Sequence, residues 1–238
     1  MLDFDRFEAL TFDCYGTLID WERGLLDALA PALRRNAVAC PDDRLLALFA
    51  AAEQEIEAGP YLPYRDVLGR VTDQIGSALG FAPDAKERGR LAATLPDWPA
   101  FPDTAEALGL LARRFRMGIV SNIDDDLFAG TSRHLGVTFA AVTTAQQVRS
   151  YKPAPAHFHR SLETLGLPVG RVLHVAQSRF HDIAPARALG FATVWVNRRS
   201  GRPGSGATPE APETGATPDL EVPDLMTLAR LAATSVAP

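Results

Sequence analysis

The sequence has few cysteines, no excess of basic residues and no long apolar segment. Cys14 and Cys40 are its only cysteines, too few for a framework of disulfide bridges, which favours a reducing compartment. The 24 basic side chains are outnumbered by 29 acidic ones, whereas a nucleic-acid-binding face needs concentrated positive charge. No apolar run approaches the roughly 20 residues that a membrane-spanning helix needs. We therefore expect neither a nucleic-acid partner nor a membrane anchor.

The N-terminal segment "MLDFDRFEALTF" also lacks the features of a signal peptide. It has no basic stretch followed by a long apolar stretch. Together with the low cysteine content, this predicts a cytoplasmic protein. Apolar residues make up 47% of the chain, enough to form a substantial core.

Short apolar segments recur along the chain and predict a β-sheet. Amphipathic helical patterns lie between most of them, and this alternation is typical of a parallel sheet covered by helices on both faces. The expected fold is therefore α/β with a Rossmann-like parallel-sheet core. The predicted strands are "ALTF" before Asp13, "MGIVS" at 117–121, "AAVTT" at 140–144, "RVLHVA" at 171–176, "ATVWVN" at 192–197 and "LEV" at 220–222.

A long interval between the first two strands shows little strand character. From Ile19 to about Pro99 it is rich in alanine and leucine, and three stretches have helical periodicity. Roughly 80 residues are too many for one crossover between neighbouring strands. We therefore predict a helical cap at 19–99, inserted into a core formed by residues 1–18 and 100–238.

The segment at 198–224 has a different composition from the rest of the chain. It is rich in proline, glycine, alanine and threonine and contains few large apolar residues. Such a segment is expected not to pack into the core and to form a mobile loop before the last strand.

Polar side chains follow four successive predicted strands, at the point where each strand ends. In open parallel sheets, ligands bind in the crevice outside the carboxyl ends of the strands. Because several strands bring polar side chains to the same edge, this edge is the predicted active site. The residues are Asp13 after the first strand, Ser121 and Asn122 at the second, Lys152 after the third, and Gln177, Ser178 and Asp182 after the fourth.

Four segments resemble the motifs of the haloacid dehalogenase superfamily. They occur in order and with ordinary spacing over about residues 8–198, and the helical insertion after the first strand resembles the cap of that superfamily. The resemblance implies a small-molecule hydrolase and leaves a homodimer open, since members often dimerise through the cap. The segments are "FDCYGTLID", "IVSNIDDD", "YKPAP" and "HVAQSRFHDIAPARALG".

The resemblance also implies roles for individual residues. Asp13 would be the nucleophile, Thr17 and Lys152 would hold it, and Asp182 would orient the attacking water. The remaining candidates, all expected to contact a carboxylate substrate or line its pocket, are Tyr15, Ser121, Asn122, Gln177 and Ser178.

Two departures from the superfamily's phosphatases favour carbon–halogen chemistry. Tyr15 stands where phosphatases carry a second aspartate, and a phenol with a pKa near 10 is a poor proton donor to an alkoxide. A departing halide needs no proton. Gln177 stands where an aspartate usually helps to hold Mg²⁺, which leaves Asp13 and Asp182 as too few ligands for a hard cation. We therefore expect no cofactor, with Mg²⁺ as the alternative, and we expect Lys152 to keep Asp13 ionised.

A third departure separates the chain from the dehalogenase branch. Dehalogenases carry a halide-binding arginine in a segment similar to "LFAAAEQEIEAG", where this chain has none, and no motif transfers the role to Arg65 or Arg70. The leading hypothesis is hydrolysis of short 2-haloalkanoic acids to 2-hydroxy acids through an aspartyl ester. The alternatives are hydrolysis of another bond, such as a phosphate ester with Mg²⁺, and a non-catalytic binding module.

Overall fold

The computed structural model describes residues 2–202, 204–210, 214–215 and 217–234. Six parallel strands form one sheet in the order β3-β2-β1-β4-β5-β6. This confirms the predicted α/β fold and all six predicted strands. The strands are β1 (Ala9–Phe12), β2 (Arg116–Ser121), β3 (Ala141–Thr144), β4 (Val172–Ala176), β5 (Ala192–Val196) and β6 (Leu220–Val222).

Helices cover the sheet on both faces. All residues of the central strands β1 and β4 are buried, which explains why these strands consist almost entirely of apolar residues. The helices are α1 (Trp21–Arg35), α2 (Asp42–Glu57), α3 (Tyr64–Leu79), α4 (Ala85–Thr94), α5 (Thr104–Leu111), α6 (Asp125–Ser132), α7 (Ala145–Val148), α8 (Ala156–Leu165), α9 (Ala184–Ala188) and α10 (Leu225–Thr234).

Four helices, α1 to α4, fill the interval between β1 and β2. The sequence predicted the first three. It did not predict α4, because this helix buries only Glu87 and Leu91 and so has little apolar periodicity. The chain leaves the sheet and returns to it through a bridge between Ile19 and Ala100. We keep the cap at 19–99 as a proposal for the domain organisation, and this bridge supports its boundaries.

One aspartate attaches the inserted helices to the sheet. Asp124 follows β2 and is buried, and its two carboxylate oxygens accept hydrogen bonds from the backbone N–H groups of Tyr64 (2.9 Å) and Arg65 (3.1 Å). These N–H groups lie in the first turn of α3, where no intrahelical acceptor is available. Asp124 therefore fixes the start of α3 above the carboxyl ends of the strands.

The expectation that the segment at 198–224 stays out of the core is wrong for two residues that precede β6. Ala207 is fully buried in the main apolar cluster, and Thr208 is 6% exposed. Small side chains let the backbone approach closely, and the N–H of Ala207 donates to Glu22 (3.3 Å). A composition argument that counts only large apolar residues misses this packing. Part of the predicted mobile loop, residues 203, 211–213 and 216, lies outside the described residues.

Within the described part of the chain, no helix has both the length and the apolar content needed to cross a membrane.

Gly24 in α1 provides a test of the packing between the inserted helices. A Cβ added there would lie 2.3 Å from Cδ2 of Trp98, so Gly24→Ala should lower the free energy of unfolding by about 1–3 kcal/mol through overpacking. Gly89→Ala in α4 is the control, because its Cβ would meet nothing within 4 Å; it should raise stability by about 0.5–1 kcal/mol. Urea denaturation measures both, and equal stabilisation of the two variants would contradict the described packing.

Candidate active site

Asp13 lies directly after β1 and is held by three groups. Its backbone N–H donates to the carbonyl of Val175 in β4 (3.1 Å), which continues the pairing of the two strands. Thr17 Oγ1 donates to Asp13 Oδ2 (2.8 Å), and Lys152 Nζ donates to Asp13 Oδ1 (3.0 Å). With the side chain 10% exposed, the carboxylate has one open direction, toward a cavity above the sheet.

A tight turn brings Thr17 back to Asp13. The carbonyl of Cys14 accepts hydrogen bonds from Leu18 (2.7 Å) and Ile19 (3.0 Å). Gly16 adopts a φ of +90°, which side chains other than glycine rarely tolerate, and a Cβ there would lie 3.2 Å from Gln177 Oε1. The Gly-Thr pair in "FDCYGTLID" is therefore required by the turn that presents the threonine hydroxyl to the carboxylate.

Lys152 is the central cation of the site. Its side chain is 1% exposed, and Nζ donates to Asp13 Oδ1 (3.0 Å), Asp182 Oδ1 (2.6 Å) and the carbonyl of Val120 (2.8 Å). These three acceptors match the three protons of an ammonium group. Although burial acts to lower it, the two carboxylates raise the pKa of Lys152 above its ordinary value. The ammonium is therefore charged at neutral pH.

A histidine and a threonine position Asp182 from inside the sheet. Nε2 of His174 lies 3.0 Å from Asp182 Oδ1, and Nδ1 of His174 lies 3.0 Å from Thr11 Oγ1. Thr11 and His174 are register partners in β1 and β4, which explains why two polar residues interrupt apolar strands. Burial acts to raise the pKa of Asp182, but Lys152 and His174 bring it down to about 2.

The two carboxylates that contact Lys152 differ in their pKa. Burial raises the pKa of Asp13 above its usual value, while Lys152 and Thr17 act in the opposite direction and Asp182 adds repulsion. The shared ammonium partly offsets the cost of burying both charges. Asp13 is thus a weakly solvated carboxyl group beside an ammonium, an environment that favours nucleophilic attack by its ionised form.

A small, partly open cavity lies above Asp13 between the strand ends and the inserted helices. The cavity is lined by Asp13, Lys152 and Asp182, and by all five predicted substrate-binding residues: Tyr15, Ser121, Asn122, Gln177 and Ser178. Thr17 lies behind Asp13 and is fully buried.

Most of the lining side chains already have partners in the protein. The hydroxyl of Tyr15 lies 2.8 Å from Thr131 Oγ1, and burial raises the pKa of Tyr15 well above its ordinary value. Gln177 Oε1 accepts from Thr208 (3.2 Å), and Ser178 Oγ accepts from the backbone of His181 (2.9 Å). These contacts fix the walls of the cavity and leave Tyr15 unsuited to proton donation.

Asn122 connects the core to the inserted helices. Its Nδ2 donates to the carbonyl of Lys152 (3.2 Å) and to Glu57 Oε2 (3.2 Å), and its Oδ1 accepts from the backbone N–H of Lys152 (2.7 Å). Both amide hydrogens are therefore in use. The asparagine holds the lysine segment and one glutamate in place.

Two glutamates, Glu53 and Glu57, line the cavity, and sequence reasoning did not identify them. Both lie on the face of α2 that carries the buried residues Leu46 and Phe49. Carboxylates at the buried positions of an amphipathic helix were the sequence feature that could have identified them. Tyr64 Oη donates to Glu53 Oε1 (2.6 Å), and Glu57 Oε1 is buried without a hydrogen-bond partner. Burial raises the pKa of Glu53 to about 8 and the pKa of Glu57 well above its ordinary value.

No arginine lines the described cavity in place of the expected halide-binding arginine. Arg65 pairs with Asp126 (2.5 Å) and Asp124 (3.7 Å) at the start of α3 and does not line the cavity. Among the described residues that do line it, Lys152 is the only lysine or arginine.

The donor groups do not fit a resident Mg²⁺. Asp13 and Asp182 each direct Oδ1 at the ammonium of Lys152, and the amide oxygen of Gln177 accepts from Thr208. Over the described ranges, no three His, Cys, Asp or Glu side chains are grouped so that they could hold a metal ion. A hard cation needs more oxygen ligands than this arrangement offers.

Comparisons with known proteins show the family to which the chain belongs. A model of the haloacid dehalogenase-like hydrolase family matches residues 7–190. (S)-2-haloacid dehalogenase 4A of Burkholderia cepacia is 28% identical over 213 residues, covering 84% of this chain and 87% of that protein. A phosphoglycolate phosphatase of Rhodospirillum rubrum is 30% identical over 201 residues, covering 79% of this chain and 78% of that one. The structure of L-2-haloacid dehalogenase from Xanthobacter autotrophicus shares the fold, with a TM-score of 0.79 at 24% identity, covering 97% of this chain and 100% of that chain.

Removing the central cation should destabilise the protein. Lys152→Met leaves two buried carboxylates without their shared partner, so the free energy of unfolding should fall by about 3–5 kcal/mol. Lys86→Met replaces the only other lysine, which is exposed, and serves as the control with an expected change near zero. Chemical denaturation at pH 7 measures both variants. A Lys152→Met variant as stable as the wild type would contradict the charge arrangement described above.

Glu53 should make stability depend on pH. The folded chain retains this proton up to a pH of about 8, whereas an unfolded glutamate releases it near 4.5, so stability should fall as pH rises through this window. Glu53→Gln removes the effect, and its stability relative to wild type should therefore rise by up to about 1.4 kcal/mol per pH unit. Denaturation at several pH values between 5 and 8 checks this.

Glu55→Gln is the matched control for this series, since Glu55 lies on the exposed face of the same helix. It removes one acidic side chain without altering the cavity. A pH dependence of Glu53→Gln identical to that of Glu55→Gln would refute the proton on Glu53.

Proposed function

The chain belongs to the haloacid dehalogenase-like hydrolases, and we propose that it hydrolyses the carbon–halogen bond of short 2-haloalkanoic acids to give 2-hydroxy acids. The observation that carries this proposal is a buried carboxylate, Asp13, held by Lys152 and Thr17 beneath a cavity in which Tyr15 occupies the phosphatase acid position. Relatives named as (S)-2-haloacid dehalogenases, matched over most of their length, support it.

In the first step, Asp13 attacks the carbon that bears the halogen. A carboxylate oxygen forms a bond to this carbon while the halide leaves on the opposite side with the electrons of the carbon–halogen bond. The carbon is inverted, and an ester to Asp13 results. Lys152 and Thr17 keep the nucleophile ionised and oriented, and the halide departs without a proton.

In the second step, water hydrolyses this ester. Water attacks the carbonyl carbon of Asp13, the bond to the substrate oxygen breaks, and one proton is released as the carboxylate is regenerated. We assign orientation of the water to Asp182, which is fixed by Lys152 and His174. Because attack occurs at the carboxyl carbon of Asp13, one oxygen from water remains in the enzyme.

The remaining predicted residues form the substrate pocket in this proposal. Ser121 and nearby backbone N–H groups bind the substrate carboxylate, and Tyr15, Gln177 and Ser178 form walls of the cavity. Asn122 acts by holding Glu57 and the lysine segment, since both of its amide hydrogens are donated to them.

The proposed reaction needs no metal ion or other cofactor. The positive charge beside the nucleophile comes from Lys152, and the donor set around it does not suit Mg²⁺. The expected partner is a small carboxylate. A homodimer stays a prediction, which sedimentation velocity would test.

Halide release is the direct test of this function. Purified protein with excess EDTA should release chloride from (S)-2-chloropropionate, and Asp13→Asn should reduce kcat by at least about 10⁴-fold, because it removes the nucleophile. Asp27→Asn changes an exposed aspartate on α1 and should leave the rate unchanged. Phosphate release from phosphomonoesters that requires Mg²⁺, without halide release, would replace this proposal with a phosphatase.

A single-turnover reaction in H₂¹⁸O tests the ester intermediate. The label should enter the peptide that contains Asp13, since water attacks the carboxyl carbon of this residue. Mass spectrometry of the digested protein measures the incorporation. Label found only in the 2-hydroxy acid would show direct attack of water on the substrate.

A further inference from the structure

The cavity above Asp13 contains more carboxyl groups than basic groups. Asp13, Asp182, Glu53 and Glu57 line it, and Lys152 is the single basic side chain among the described lining residues that is charged at neutral pH. His181 also lines the cavity, but burial lowers its pKa to about 4. Because the ammonium of Lys152 already contacts Asp13 and Asp182, neither glutamate has a cation of its own.

Both glutamates are held in fixed positions. Glu53 is 4% exposed and accepts a hydrogen bond from Tyr64 Oη (2.6 Å), and Glu57 Oε2 accepts from Asn122 Nδ2 (3.2 Å). Tyr64 is itself fixed by Asp124, which binds its backbone N–H. These contacts connect the two carboxylates to α3 and to the end of β2, which is the pre-organisation that a binding site needs.

One oxygen of this pair is left without a partner. Glu57 Oε1 is buried and accepts no hydrogen bond, although it belongs to a residue that lines the cavity. A buried carboxylate oxygen without a donor is costly, so such a group normally has a ligand or a proton. Glu57 Oε1 therefore needs a proton or an N–H or O–H donor, and an ammonium group is able to supply that donor.

We propose that Glu53 and Glu57 form a subsite for a protonated amine, and that the preferred substrate is a short haloacid with an ammonium group close to the halogen-bearing carbon. This inference rests on the proposed dehalogenation. The carboxylate of such a zwitterion binds near Ser121, and its ammonium group donates to the two glutamates. An ammonium has three N–H donors and no acceptor, which complements a pair of carboxylates.

The charge balance explains why a simple haloacid fits this cavity less well. An anionic substrate brings a further negative charge into a desolvated space that holds four carboxyl groups. A zwitterion brings no net charge and places its positive end beside Glu53 and Glu57. Burial is the main cause of the raised pKa of both glutamates, and repulsion from a neighbouring carboxylate, Asp13 for Glu53 and Glu53 for Glu57, raises it further. A cation beside the two glutamates would relieve this repulsion.

Substrate preference tests the subsite. Chloride release should be measured for 2-chloropropanoate and 3-amino-2-chloropropanoate, which differ by one ammonium group. The wild type should prefer the amine in kcat/KM, and Glu53→Gln and Glu57→Gln should each reduce this preference by about 10- to 100-fold, the loss expected for a hydrogen bond between charged groups. Glu55→Gln, on the exposed face of α2, should retain the wild-type preference.

A binding measurement that involves no chemistry accompanies the kinetics. 3-Aminopropanoate and propanoate are inert analogues of the two substrates. The melting temperature of the wild type is measured with each analogue, so this comparison does not depend on the folding of a variant. 3-Aminopropanoate should raise the melting temperature at lower concentration than propanoate does. Glu57→Gln should remove the difference, and circular dichroism would establish that this variant is folded.

The outcomes separate the two proposals. Chloride release from 2-chloropropanoate with no preference for the amine, in kinetics or in binding, would overturn the subsite and leave the dehalogenase intact. No chloride from either substrate, with tighter binding of 3-aminopropanoate, would overturn the dehalogenase and leave the amine subsite. An equal loss of activity on both substrates in the glutamine variants would show that the glutamates do not act on the ammonium group, which also overturns the subsite.

Discussion

The active site depends on a single buried interaction, the contact of the Lys152 ammonium with Asp13 and Asp182. Two carboxylates at one sheet edge would each cost several kcal/mol to bury alone, and the ammonium offsets that cost only because all three of its protons have acceptors. The backbone carbonyl of Val120 supplies the third. This geometry requires the ends of β1 and β2 and the segments after β3 and β4 to lie at the same edge of the sheet. The arrangement of the charged groups therefore depends on the sheet topology.

The inserted helices determine which groups surround the open side of Asp13. They enclose the cavity and bring Glu53, Glu57 and Tyr64 over Asp13, while Asp124 attaches the start of α3 to the sheet. In the proposed reaction, the core supplies the carboxylate nucleophile and its ammonium, a combination suited to displacement of a halide. The inserted helices place the carboxyl groups of Glu53 and Glu57 at the cavity, where an arginine was expected. The reaction type therefore follows from the core, and substrate selection follows from the inserted helices.

The sequence allowed a large part of the fold to be predicted. All six strands were identified because buried parallel strands are continuous apolar segments, and the polar residues after four of them converge because parallel strands share one carboxyl edge. Helix α4 was missed because it buries only two side chains, and the burial of Ala207 and Thr208 was missed because small residues pack through close backbone approach. Both misses concern segments that contain few large apolar side chains.

For the site, local sequence patterns and long-range contacts contributed different information. The sequence by itself determined the nucleophile segment, the turn at Gly16, the position of Lys152 after β3 and the absence of an arginine in α2, because each is a property of a short segment. Only the tertiary structure decided that Glu53 and Glu57 face the cavity and that Arg65 does not. Their orientation depends on Tyr64, Asn122 and Asp124, which lie 11 to 65 residues away along the chain and meet them only through packing. Sequence periodicity places a side chain on a helix face, but the neighbours of that face are a property of the folded molecule.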